Sequence, residues 1–129
     1  MIHNYFAQIK SVADRYSCAP FVVKTELTFE TRSGGQGYIR GRILFTDDSE
    51  LYFKEYLDQI SDKIDKIMYS YHYQNANKQL LFRYGNACHR PALAWNEHKH
   101  VQDQIIISLS PDLESVLLEI YEKLNKNKD

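Results

Sequence analysis

Between Phe21 and Tyr84 the chain alternates apolar and polar residues in one short segment after another, and most of the intervals hold turn-forming residues. A period of two marks a strand with one buried face, and intervals of a few residues join strands only as antiparallel hairpins, because a parallel crossover needs a dozen residues or more. The chain is thereby restricted to an antiparallel meander. Phe21, Val23, Thr25, Leu27 and Phe29 form one face of the first strand. Tyr38 to Phe45 is the second, and Asp47-Asp48-Ser49 turns into the third, Leu51 to Tyr56. Lys66 to Tyr73 is the fourth, with Ile67, Tyr69, Tyr71 and Tyr73 on one face, and Asn75-Ala76-Asn77 leads into the fifth, Gln79 to Tyr84. Leu57 to Asp65 fits either one helical turn or a twisted continuation of the strand. The glycines of Ser33-Gly34-Gly35-Gln36-Gly37 join two strands and have no Lys-Ser/Thr ending, so they read as a hairpin loop and not as a phosphate loop.

A sheet with one apolar face needs a second layer. Ile2, Tyr5, Phe6, Ile9, Val12, Ala13 and Tyr16 recur at helical spacing, which predicts a helix from about Ile2 to Tyr16, closed before Pro20. Ile105 to Ile107 is a short apolar strand, Ser110 and Pro111 read as the N-cap and first position of a second helix, and Leu113, Val116, Leu117, Ile120, Tyr121 and Leu124 form its stripe. The expected fold is α+β: an antiparallel β-sheet meander of about five to six strands packed by an N-terminal and a C-terminal amphipathic helix, in one domain over residues 1–129. Gly85 to Asp103 has no clean period and reads as an ordered functional loop.

Met1 to Phe6 lacks a basic segment leading into an apolar run, and no stretch approaches the roughly 18 apolar residues of a spanning helix, so a cytoplasmic protein without membrane contact is expected. Cys18 and Cys88 then read as reduced thiols. A formal net charge of −1 gives the chain no general attraction to nucleic acid, so phosphate binding has to be local. Arg83, His89, Arg90, His98, Lys99 and His100 fall close together with Glu97 as their only acid.

Within that set the residue types carry chemistry. Glu55 has the parity of Leu51 and Phe53, which turns a carboxylate toward the buried side, a costly placement unless it is paired; the plainer readings are a solvated residue at the sheet rim or a structural pair with an arginine. Arg83 has the parity of Leu81, and its guanidinium suits a phosphate or an ordinary salt bridge. His98 and His100 share a face if the segment is extended, with Lys99 turned away, and with His89 they supply three imidazoles able to act as acid, base or ligand. A zinc site from His89, His98, His100 and Glu55 is chemically conceivable, but the spacing is no recognised metal signature, and neither a metal nor another cofactor is expected. Tyr71 and Tyr73 are candidates for base stacking beside this basic group, although most of the ten tyrosines must be half-buried sheet residues.

Four segments recur in a recognisable order: Gly-x-Ile-Leu-Phe-x-Asp-x-Ser-x-Leu-x-Phe-x-Glu at 41–55, Tyr-x-Tyr-His-Tyr at 69–73, Phe-Arg-Tyr-x-Asn-Ala-x-His-x-Pro at 82–91 and His-Lys-His at 98–100. Together they resemble the TumE-type toxins of bacterial and archaeal toxin-antitoxin pairs. The resemblance implies a toxin with a cognate antitoxin, a small DNA-binding helix-turn-helix protein, and it marks Glu55, Tyr73, Arg83, Asn86, His89, His98 and His100. Members of the family often carry Asp where this chain has Gly85, and Pro-His where it has Asn96-Glu97. The preferred expectation is metal-independent RNA cleavage, with Glu55, Arg83, His89, His98 and His100 catalytic and Tyr71, Tyr73, Asn86 and Lys99 binding. The alternatives are a metal-dependent phosphoesterase and a non-catalytic interaction domain.

Overall fold

The structure, a computed structural model, describes residues 1–86, 97–101 and 104–126. Helix α1 (Ile2–Ser17) is followed by strands β1 (Val22–Arg32), β2 (Gln36–Phe45), β3 (Glu50–Ile60), β4 (Lys63–Gln74), β5 (Leu80–Gly85), β6 (His98–Val101) and β7 (Gln104–Ile107), and by helix α2 (Leu113–Lys126). The strands form one sheet in chain order, and every neighbouring pair is antiparallel. This is the expected α+β meander, wider than the five to six strands read from the sequence. The additional strand is β6, whose four residues include His98, Lys99 and His100 and so carry no apolar alternation.

Leu57 to Asp65 resolves as strand, turn and strand, with Ser61 at φ 53° in the turn between β3 and β4. Gly34 and Gly35 both have positive φ, the conformation that makes glycine the natural residue for the β1–β2 turn. Helix α2 begins later than expected. Asp112, not Ser110, caps it, with Oδ1 accepting from the Ser115 backbone N–H at 2.8 Å.

Both helices cover the same side of the sheet. Ile2, Phe6 and Ile9 of α1 and Leu113, Val116, Leu117 and Ile120 of α2 join one core with Ile39, Ile43, Phe45, Leu51, Phe53, Tyr71, Tyr73 and Phe82. Three single-residue irregularities set which side chains reach it. The register skips Val23, Ile67 and Leu81, each an extra residue in its strand. Val23 and Ile67, expected on the buried face, are therefore exposed, and Lys66 takes the inward position that Ile67 would have held.

Candidate functional site

On the helix-covered face, Glu55 of β3 is fully buried. Its carboxylate accepts hydrogen bonds from the hydroxyls of Tyr5 of α1 and Tyr71 of β4, the latter at 2.6 Å. Lys66 in turn donates to the Tyr71 hydroxyl at 3.0 Å and lies over the rings of Tyr69 and Tyr71. Burial, and secondarily the Glu55 charge, pushes both phenols far above their ordinary range, while burial pulls the Lys66 ammonium down. The carboxylate predicted at 55 is thus buried and paired, and it joins α1 to the sheet.

Tyr71 and Tyr73 are buried in the same core, with the Tyr73 hydroxyl 2.8 Å from Ser49 Oγ. Neither ring offers a face to a base, contrary to the expectation for binding residues. Lys99 also turns to this side, paired with Glu119 of α2 at 2.8 Å and lying over Phe82 and Tyr84. Asn86 has a local duty at the end of β5: its side chain accepts from Tyr69 N–H and donates to Ile67 C=O, both at 3.0 Å, bracketing the irregularity at Ile67. His89 and Cys88 lie outside the described residues.

Arg83 turns the other way. The skip at Leu81 breaks the parity that seemed to link the two, and the guanidinium is exposed on the face opposite the helices. In the register, Arg83 stands directly between His72 of β4 and His100 of β5's other neighbour, β6. Directly opposed residues in antiparallel strands share a face, so the three side chains form one row. Beside it runs a second row, Arg40, Lys54, Ser70, Gly85 and His98, from β2 to β6. His98 is buried, and its ring meets that of His100 edge to face at 4.7 Å, so these two imidazoles share a side as predicted.

Arg40, Tyr52, Lys54, Ser70, His72 and Arg83 line a cleft of about 280 Å³. Arg83 Nε donates to Ser70 Oγ at 3.2 Å, which fixes the guanidinium plane. Arg42 is tied to Glu50 at 2.9 Å, whereas Arg40, Lys54 and Arg83 have no carboxylate within ion-pair distance among the described residues. His72 is held below the ordinary imidazole range by burial, with a smaller contribution from the Arg83 charge. Its Nε2 lies 3.1 Å from Gln74 Oε1, an acceptor, so the proton of the neutral ring sits on Nε2 and Nδ1 carries the lone pair.

The site therefore unites Arg83, His98 and His100 and excludes Glu55, Tyr71, Tyr73 and Lys99, which lie on the other side of the sheet. The zinc set considered above loses Glu55 for the same reason. Arg40, Tyr52, Lys54 and His72 were missed in the sequence. Their signal was present, since each occupies the outward parity of its strand, but it becomes visible only once the strands are aligned in register.

The fold and this face define a single-sheet α+β protein whose outward surface carries Arg40, Lys54 and Arg83 beside histidines, with no carboxylate within ion-pair distance of those three among the described residues. The family model described as Toxin TumE matches residues 10–126, nearly the whole chain, and the chain belongs to that family. It is thus the toxin component of a toxin-antitoxin system, and membership implies an antitoxin partner. No curated protein and no solved structure matches the chain. Among the described residues, no helix is long and apolar enough to cross a membrane.

Proposed function

We propose that this toxin is a ribonuclease that cleaves RNA in the cytoplasm without a metal ion, held in check by a small helix-turn-helix antitoxin. The observation that carries the reading is the position of Arg83 in register between His72 and His100. Strands lie about 4.8 Å apart, so a phosphate held on the guanidinium has an imidazole on each side, as an in-line displacement at phosphorus requires. Neutral His72 takes the proton from the ribose 2′-hydroxyl through Nδ1. The 2′-oxygen then forms its bond to phosphorus as the bond to the 5′-oxygen breaks, and protonated His100 delivers a proton to that leaving oxygen. Arg83 stabilises the charge on the phosphorane oxygens. The products are a 2′,3′-cyclic phosphate and a free 5′-hydroxyl.

The test is incubation of labelled RNA with the purified toxin in the presence of EDTA. Cyclic-phosphate ends are expected, and His72→Ala and His100→Ala are each expected to lower the rate by about 10² to 10⁴-fold. Arg83→Lys should also impair turnover, because an ammonium cannot reproduce the planar fork. Cleavage abolished by EDTA would instead favour a metal-dependent phosphoesterase. Toxicity without any RNA product would favour a protein that acts only by binding.

A further inference from the structure

On the same face, extending from the histidine row, aromatic and cationic side chains alternate along the strands. Tyr52, Lys54 and Tyr56 share the outward side of β3, and Tyr38 and Arg40 share that of β2. Tyr38 and Tyr56 oppose one another across the pair, with ring centroids 4.5 Å apart, and the Arg32 guanidinium lies 5.4 Å from the Tyr38 ring. Tyr52 is directly opposed to His72 and 39% exposed, and its ring is steadied by Arg42 at 5.7 Å. Arg40 and Lys54, exposed and opposed to each other, stand between the two aromatic positions. Residues two apart on a strand are separated by roughly 7 Å, so the surface offers ring, charge and ring in succession over about 14 Å.

We propose that this surface is a track for single-stranded RNA, in which Tyr52 and the Tyr38–Tyr56 pair stack unpaired bases while Arg40 and Lys54 hold the phosphate between them. An unpaired strand has both elements of this pattern exposed, whereas a duplex hides its base faces. Because Tyr52 adjoins His72, the stacked nucleotides lie immediately beside the phosphate at Arg83. The track consequently selects single-stranded segments and sets which linkage is cut. This inference rests on the ribonuclease reading only for its choice of polymer, and it concerns binding and not turnover.

The experiment measures fluorescence anisotropy of a labelled, unstructured RNA dodecamer, with His100→Ala as the parent so that substrate survives. Adding Tyr52→Ala is expected to weaken binding by roughly five- to 150-fold, whereas Tyr52→Phe should retain most of it. Lys54→Gln and Arg40→Gln should each flatten the salt dependence of binding by close to one phosphate contact. The same strand annealed to its complement should bind more weakly than the single strand. If Tyr52→Ala and Lys54→Gln bind the dodecamer as the parent does, or if they lose only the antitoxin, the track is overturned. Cleavage assays on the otherwise wild-type chain keep the two readings apart. Tyrosine-dependent binding without cleavage refutes the nuclease and leaves the track. Equal cleavage of dinucleotide and long RNA, indifferent to Tyr52→Ala, refutes the track and leaves the nuclease.

Discussion

Tyr71 donates its hydroxyl to Glu55 at 2.6 Å on the side of the sheet from which Arg83 points away. The two most conspicuous charged residues predicted for the site are therefore separated by the thickness of a β-sheet. Glu55→Ala leaves the Tyr5 and Tyr71 hydroxyls buried without their acceptor and is expected to cost about 1 to 3 kcal/mol, read from urea denaturation. RNA cleavage by the folded fraction should be unchanged. Normal stability with lost cleavage would return Glu55 to the chemistry.

Helix α2 is held to the sheet by its apolar stripe. Leu117 is fully buried among core residues, so Leu117→Ala should lower stability by about 2 to 5 kcal/mol. An unaltered melting midpoint would contradict this packing.

The cap of α2 gives a pH-dependent prediction. Hydrogen bonds from Ser115 hold Asp112 below the ordinary carboxylate range. A depressed folded-state pKa stabilises the fold above the unfolded value of about 3.9 and loses that contribution as pH falls below it. Asp112→Ala should cost about 0.5 to 2 kcal/mol at neutral pH, and Ser110→Ala much less. The Asp112→Ala deficit, followed by thermal denaturation, should shrink in acid.

His72 is depressed by burial first and by Arg83 second. Its NMR titration should fall below the ordinary value of about 6.5, and Arg83→Gln should raise it without restoring that value, because the burial remains. The neutral ring is the favoured folded form, so its contribution to stability is present above pH of about 6.5 and is lost as pH falls through the lower folded value. A His72 titration indifferent to Arg83→Gln would show that the two groups do not interact.

Gly85 stands in the second row between Ser70 and His98, and among the described residues a Cβ there would meet nothing nearer than Tyr69 O at 3.4 Å. Gly85→Asp should therefore fold, with its carboxylate in the same row as His98. Thermal denaturation of the variant checks this, and failure to fold would contradict the space at Gly85.

The residue order by itself determined the meander and its two covering helices, because period two, period 3.6 and hairpin-length intervals are local properties of the chain. It also gave Glu55 the parity of its buried neighbours, and put His98 and His100 on one side if their segment is extended, since parity within one strand needs no knowledge of the neighbours. Which strands lie opposite which residues is not local. Three extra residues, Val23, Ile67 and Leu81, reset the register, so Lys66 faces inward and Arg83 does not continue the apolar parity of Leu81. Only the assembled sheet could therefore place His72 and His100 on either side of Arg83 and gather Arg40, Tyr52 and Lys54 from β2 and β3 into the same surface. It likewise sent Tyr71, Tyr73 and Lys99 beneath the helices, because their ring and stem surfaces are the ones α1 and α2 cover.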